Sequence, residues 1–167
     1  MANRFWVGNG GNWSDATNHW AASSGGAPGA SLPTSADNVY FDALSFSLGS
    51  QTVTVDADAN CLDADWTGAS NNPTFNGNAW VNLYGSITYI NAMTISGFTG
   101  ANRIQVQGTG IHTITTGNNA DVGYHVFQAT GTYTFQDDFT TGNNLYIDRG
   151  TLNTNGKTVT VNGFQID

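Results

Sequence analysis

The run Asp56-Ala57-Asp58-Ala59-Asn60-Cys61-Leu62-Asp63-Ala64-Asp65 holds the densest set of side chains able to do chemistry. Alternate carboxylates on an extended chain project to one side, and Ca²⁺ takes several hard oxygens at close quarters. Asp56, Asp58, Asp63 and Asp65 are therefore the candidate calcium ligands, and calcium is the one cofactor the sequence suggests. A solvated strand face or a turn accounts for the same run, whose spacing fits neither an EF-hand loop nor a Gly-Gly-x-Gly-x-Asp repeat. Asp137 and Asp138, with His125 and Tyr133 near in sequence, are the carboxylates that glycan cleavage would call on. Neighbours on a strand point to opposite faces, which makes them a poor acid/base pair. The chain has no Glu for the raised-pKa acid and no basic cluster to hold an acidic sugar. No catalytic residue is assigned and an enzyme is not expected. His19, His112 and His125 lack metal-ligand spacing, and Cys61, the only cysteine, reads as a small buried thiol.

Aromatic side chains are the other chemical signal. Trp66, Trp80, Tyr84, Tyr124 and Tyr146 cannot all fill a narrow core, and they stand among Asn and Asp. Rings stack on the apolar faces of sugars while neighbouring amides take hydroxyl hydrogen bonds, so these five are the candidate glycan-binding residues; packing in the core and its ladders is the competing explanation.

The elements that position these side chains are strands. All twelve acidic residues are Asp, Lys appears once and Arg three times, and the net charge is −8. The residues that build surface helices are missing, while Thr suits a pleated face and Asn, Gly and Asp suit turns. Gly-Ser or Gly-Thr recurs at Gly85, Gly108, Gly131 and Gly150, the first two intervals being 23 residues. Gly85-Ser86-Ile87-Thr88-Tyr89 aligns with Gly131-Thr132-Tyr133-Thr134-Phe135. Thr115-Thr116-Gly117-Asn118-Asn119 returns as Thr140-Thr141-Gly142-Asn143-Asn144, and Gln51–Asp56 resembles Lys157–Asn162. A translational repeat of this length favours an all-β, right-handed parallel β-solenoid with coils of about 23 residues over an antiparallel sandwich. Val53, Val55, Ile87, Tyr89, Ile104, Val106, Ile114, Phe135, Val159 and Val161 are its inward positions. Roughly five coils at about 4.8 Å each give a stack of about 24 Å.

Four scattered basic residues cannot neutralise a phosphate track, so nucleic acid is not an expected partner. No apolar run approaches the roughly 20 residues of a bilayer span, so membrane insertion is not expected either. The first residues have no secretory h-region, which fits a mature part of a longer secreted protein or a protein released by lysis.

Residues 1–49 read as a Trp-rich N-terminal cap and docking segment, with Trp6, Trp13, Trp20, Tyr40 and Phe41 as its key residues; residues 50–167 read as the coils. Large rings suit the plugging of an open solenoid end. The last residues, Val161 to Asp167, remain in strand pattern, so a partner chain or a continuation of this one is expected to cover that end. The segment Phe5-Trp6-Val7-Gly8-Asn9-Gly10-Gly11-Asn12-Trp13-Ser14, then Asn18-His19-Trp20, then Pro33-Thr34-Ser35-Ala36-Asp37-Asn38-Val39-Tyr40-Phe41-Asp42, resembles the opening of repetitive β-solenoid surface proteins. These are found among bacteriophage fibres and capsid decorations and in bacterial adhesins. Asn60 to Gly68 is similar to their first coil. The resemblance implies a non-enzymatic structural or adhesion role on the virion surface, or alternatively at the extracellular or cell surface. It implies other virion or surface-assembly proteins as partners; the uncovered last coil adds the expectation of a homo-oligomer such as a trimer, and the candidate rings that of host surface glycans as a further partner. A polysaccharide-depolymerising β-helix enzyme and a fragment of a secreted adhesin are the alternatives.

Overall fold

A computed structural model describes all 167 residues. The chain winds as a parallel β-solenoid of about six turns, each coil visiting three faces in the same order. Only one helical turn interrupts the strands, Ala16–His19, capped by the Asp15 carboxylate, which accepts the Asn18 N–H.

The first face stacks Asn3–Trp6, Asn38–Tyr40, Ala64–Asp65, Ile87–Thr88, Ile111–Thr115 and the later halves of His125–Phe135 and Asn144–Asn153. Its inward ladder runs Val39, Ala64, Ile87, Ile114, Phe135. The second face stacks Ala59–Cys61, Val81–Leu83, Ile104–Val106, the earlier halves of the same two long strands, and Gly163–Ile166. Two ladders point inward there: Ala59, Val81, Ile104, His125, Leu145, Phe164, and Cys61, Leu83, Val106, Phe127, Ile147, Ile166. The third face holds Gly11–Asn12, Thr52–Val55, Thr74–Gly77 and Thr94–Ser96, followed by a separate pair, Phe139–Thr140 and Val159–Thr160.

Side chains alternate across a strand, so one buried face fixes the register of every rung. The burial pattern of Thr52–Val55 alternates accordingly, with Val53 and Val55 fully buried. Coils average about 21 residues rather than the 23 expected from the Gly-Ser spacing. That spacing follows the corner between the second and first faces, whose length differs from coil to coil. In the last coils a strand runs through this corner unbroken, with a register shift around Gln128.

Trp6, Trp13 and Trp20 meet edge to face at the N-terminal end of the lumen, with centroids 4.8 to 5.1 Å apart. Phe41, Phe46, Trp66 and Phe75 continue the aromatic packing into one core of 30 buried residues. The N-terminal strands are themselves rungs: Asn3–Trp6 pairs with Asn38–Tyr40, and Gly11–Asn12 pairs with Thr52–Val55.

Candidate functional site: a polar, aromatic outer face

The aspartates form the frame of the molecule. Asp15, Asp37, Asp42, Asp56, Asp58, Asp63, Asp65, Asp121, Asp137 and Asp138, ten of the twelve, each accept at least one backbone N–H. Several of these bonds tie one coil to the next. Asp58 Oδ1 takes the Trp80 N–H at 3.1 Å, Asp63 Oδ1 the Ser86 N–H at 2.7 Å, and Asp138 Oδ1 the Thr158 N–H at 2.9 Å. At a corner the peptide N–H turns away from the ladder, and a short carboxylate one coil away satisfies it.

This arrangement gives the four candidate calcium ligands another use, as backbone acceptors. Asp56 is held by the Ser14 N–H and hydroxyl, Asp58 by Trp80, Asp63 by Ser86 and Asp65 by the Thr67 N–H. The four serve different corners, and nowhere do three His, Cys or Asp side chains converge as a metal requires. Burial works against the Asp56 carboxylate, but the two Ser14 donors outweigh it and hold its pKa below the usual carboxylate range. Asp137 and Asp138 also diverge: Asp137 accepts from Thr116 and Asn118 in the preceding coil, Asp138 from Thr158 in the following one.

Trp66 is not a surface ring. It is fully buried, with Phe41 stacked on it at 3.6 Å. Phe41, Phe46, Trp66 and Phe75 fill the lumen at this end. Of the docking residues, Trp6, Trp13, Trp20 and Phe41 are likewise buried and have no surface to offer a partner. Tyr40 alone is part-exposed, stacked on Phe5 at 5.0 Å. Cys61 lies within the second-face ladder, and burial, with a smaller push from Asp63, raises its thiol pKa to about 12. It is inert as a nucleophile.

Trp80, Tyr84, Tyr124 and Tyr146 are all half-buried on the outside. Trp80, Tyr124 and Tyr146 share the outer side of the second face, since each stands next to an inward residue of that face, Val81, His125 and Leu145 respectively. The Trp80 indole donates to the Ala101 carbonyl at 2.6 Å, and the Arg103 guanidinium lies 3.8 Å above its ring. One coil further, the Tyr124 and Tyr146 rings cross at 71° with centroids 5.8 Å apart. Burial raises the Tyr124 phenol pKa, with Tyr146 adding to the effect and Arg103 opposing it. Beside Tyr124 opens a cleft of about 250 Å³ lined by Gly100, Gly142, Asn143, Asn144 and Asn162. The amides of Asn82, Gln105, Gln107 and Gln128 pair across coils on the same side, Gln107 to Asn82 at 2.9 Å and Gln105 to Gln128. Tyr84 stands apart, at the corner leading to the first face.

Sequence reasoning did not single out Arg103, Asn144 or Asn162. Asn143 and Asn144 fell inside the repeated Thr-Thr-Gly-Asn-Asn unit, which marked them as turn residues only. At the last coil, Ile147, Leu152, Val159, Val161, Phe164 and Ile166 line an open apolar hollow of about 550 Å³. No protein-family model, curated protein sequence or solved structure matches the chain.

Proposed function

We propose that this chain is a non-enzymatic structural and adhesion module, a fibre or capsid-decoration unit of a virion surface that docks onto a larger assembly. The observation that carries this reading is the use of ten aspartates as backbone acceptors. Asp37, Asp56, Asp58, Asp63, Asp137 and Asp138 take an N–H from a distant part of the winding, while Asp15, Asp42, Asp65 and Asp121 brace their own turns, and together they make a stiff rod. Parallel ladders on three sides and one hydrophobic core serve the same mechanical end.

The two ends of the rod differ. Trp6, Trp13 and Trp20 close one end, whereas the other presents the apolar hollow and the free strand edges of Gly163–Ile166 and Val159–Thr160. Phe164 and Ile166 are 55 % and 66 % exposed there. Unpaired edges beside open apolar surface favour the addition of further β-rungs, from a partner chain or from a continuation of this one, and a homo-oligomer is the assembly this reading proposes. The virion setting comes from the resemblance of residues 1–42 to phage and adhesin solenoids.

The test is immunogold electron microscopy of particles from cells carrying the gene, paired with light scattering of the purified chain. Label on capsids or tails, and association that Phe164→Asp and Ile166→Asp weaken, support the reading. Particles without label, or reducing ends released from a polysaccharide by the purified chain, overturn it.

A further inference from the structure

We infer that the outer side of the second face, from Trp80 to the cleft beside Tyr124, binds a neutral saccharide chain. The inference deepens the adhesive reading above, rests on it, and names the ligand class.

The aromatic track comes first. Trp80, Arg103 and Tyr124 occupy the same position in three successive coils, directly before the paired residues Val81, Ile104 and His125. Tyr146 follows one coil on, paired with Val126. Rungs are about 4.8 Å apart, so these planar groups form one continuous strip along the rod. The ring C–H faces of a pyranose are apolar and pack on such surfaces.

The hydrogen-bonding groups come second. Asn144 and Asn162 are exposed in the cleft, and neither carboxamide is hydrogen-bonded within the chain; nor are the Tyr124 and Tyr146 hydroxyls. A carboxamide supplies both donors and an acceptor, and so matches a pair of vicinal hydroxyls. Gly100 and Gly142 keep the mouth open, and a Cβ at Gly100 would touch nothing within 4 Å.

A third observation is independent of the cleft. Gln105 is 6 % exposed on this same side, and its Oε1 has no donor, while Arg103 Nε has no acceptor. Buried polar atoms normally find partners, and leaving a bond unmade is costly. The Gln105 amide nitrogen contacts Gln128, which is exposed and free to exchange that contact for a ligand hydroxyl.

Charge selects the ligand. No cation lines the cleft, the Asp121 carboxylate stands beside its Gly142, 3.3 Å from where a Cβ there would lie, and the chain carries a net charge of −8. Uronic-acid and sialylated chains are repelled, so the ligand class is neutral hexose or N-acetylhexosamine polymers.

Affinity electrophoresis of the purified chain through gels containing dextran, galactomannan or chitin oligomers, with alginate and hyaluronan as acidic comparators, tests this. At least one neutral probe is expected to retard the chain, and the acidic ones are not. Tyr124→Ala is expected to weaken retention at least tenfold, and the double variant Asn144→Ala with Asn162→Ala at least fivefold. Circular dichroism melts identify any variant that has merely unfolded, and the two exposed asparagines keep the test open if Tyr124→Ala does so. No retardation by any neutral probe, stronger retention by the acidic ones, or full retention by the asparagine double variant overturns the inference. Reducing ends released while retention still depends on Tyr124 would support this site and overturn only the non-enzymatic reading.

Discussion

The Phe41 ring lies flat on the Trp66 indole, with centroids 3.6 Å apart and planes 6° from parallel. This contact joins the Trp-rich segment to the first full coil, and Phe46 and Phe75 pack around it at 6.2 and 5.2 Å from Trp66. Removing the ring leaves a void that backbone ladders on three sides cannot close. Trp66→Ala is therefore expected to cost about 3–5 kcal/mol in urea unfolding. The indole Nε1 has no acceptor, so Trp66→Phe discards an unsatisfied donor along with some volume. It is expected to cost less than half as much. Equal losses for the two variants would show that the stacking surface is not what matters.

His125 titrates against the fold. It is completely buried in the second-face ladder between Ile104 and Leu145, its Nε2 has no partner, and Phe139 meets it edge on at 5.3 Å. Burial lowers its pKa to about 4, against weaker opposition from the Gly123 carbonyl and the Asp121 charge. Above pH 6.5 both folded and unfolded chains hold it neutral. Between pH 6.5 and 4 only the unfolded chain takes up the proton, so the His125 contribution to stability declines across that window by about 3 kcal/mol and then levels off. His125→Leu keeps the ladder apolar, and Gly123 O still accepts the Thr141 hydroxyl at 2.8 Å. The variant is expected to erase the loss between pH 6.5 and 4. It leaves the acid loss of Asp37 and Asp56, whose hydrogen bonds hold their carboxyls below the usual carboxylate range. An unchanged pH profile in urea melts would rule out His125 as its source.

What the sequence revealed was parity rather than register. Val53, Val55, Ile87, Tyr89, Ile104, Val106, Ile114 and Phe135 all face inward, because a two-residue period with one buried face admits no other assignment. Val159 and Val161 belong to the same pattern but stay part-exposed, since nothing packs above them. The sequence alignment of Ile87 with Tyr133 is two residues out, for Ile87 stacks through Ile114 on Phe135. Gly-Ser and Gly-Thr mark a corner whose length varies between coils. Thr-Thr-Gly-Asn-Asn misled in a similar way: Thr116 follows a first-face strand and Thr141 a third-face strand. The two share only a turn, in which the threonine hydroxyl accepts the N–H two residues on. Repeated turn chemistry is legible in sequence, but which face it serves depends on the coil below. The outer site was half legible for the same reason, its rings standing out and its asparagines looking like any other turn.

Close approach of the coils at the corner between the second and first faces requires glycine. A Cβ on Gly85 would fall on the Asp63 carboxylate and stand 2.7 Å from the Leu62 carbonyl oxygen, which is backbone and cannot swing aside. Gly85→Ala is expected to cost about 2 kcal/mol or more by forcing adjacent coils apart. Gly49, where an added Cβ meets nothing within 4 Å, is the matched control. Gly49→Ala is expected to change stability by less than about 0.5 kcal/mol. Similar thermal shifts for the two substitutions would place the strain outside this corner.

Asp63 shows why the chain uses aspartate throughout and never glutamate. Its Oδ1 reaches the Ser86 N–H at 2.7 Å across one coil, and the space next to it is closed by Gly85. An added methylene would drive the carboxylate past its donor or into the neighbouring backbone. Asp63→Asn keeps an acceptor of the same length and is expected to cost under about 1 kcal/mol. Asp63→Ala strands the Ser86 N–H and is expected to cost about 2 kcal/mol. Asp63→Glu should be at least as harmful as Ala, although it preserves the charge. If charge alone mattered, Glu would be tolerated and Asn would not, and urea melts of the three variants separate those cases. Chelators supply the companion measurement: with Asp56, Asp58, Asp63 and Asp65 each committed to a different corner, EDTA should leave the melting temperature of the wild-type chain unchanged. A melting temperature that rises with added Ca²⁺ and loses that response in Asp63→Asn would return these carboxylates to the role of metal ligands.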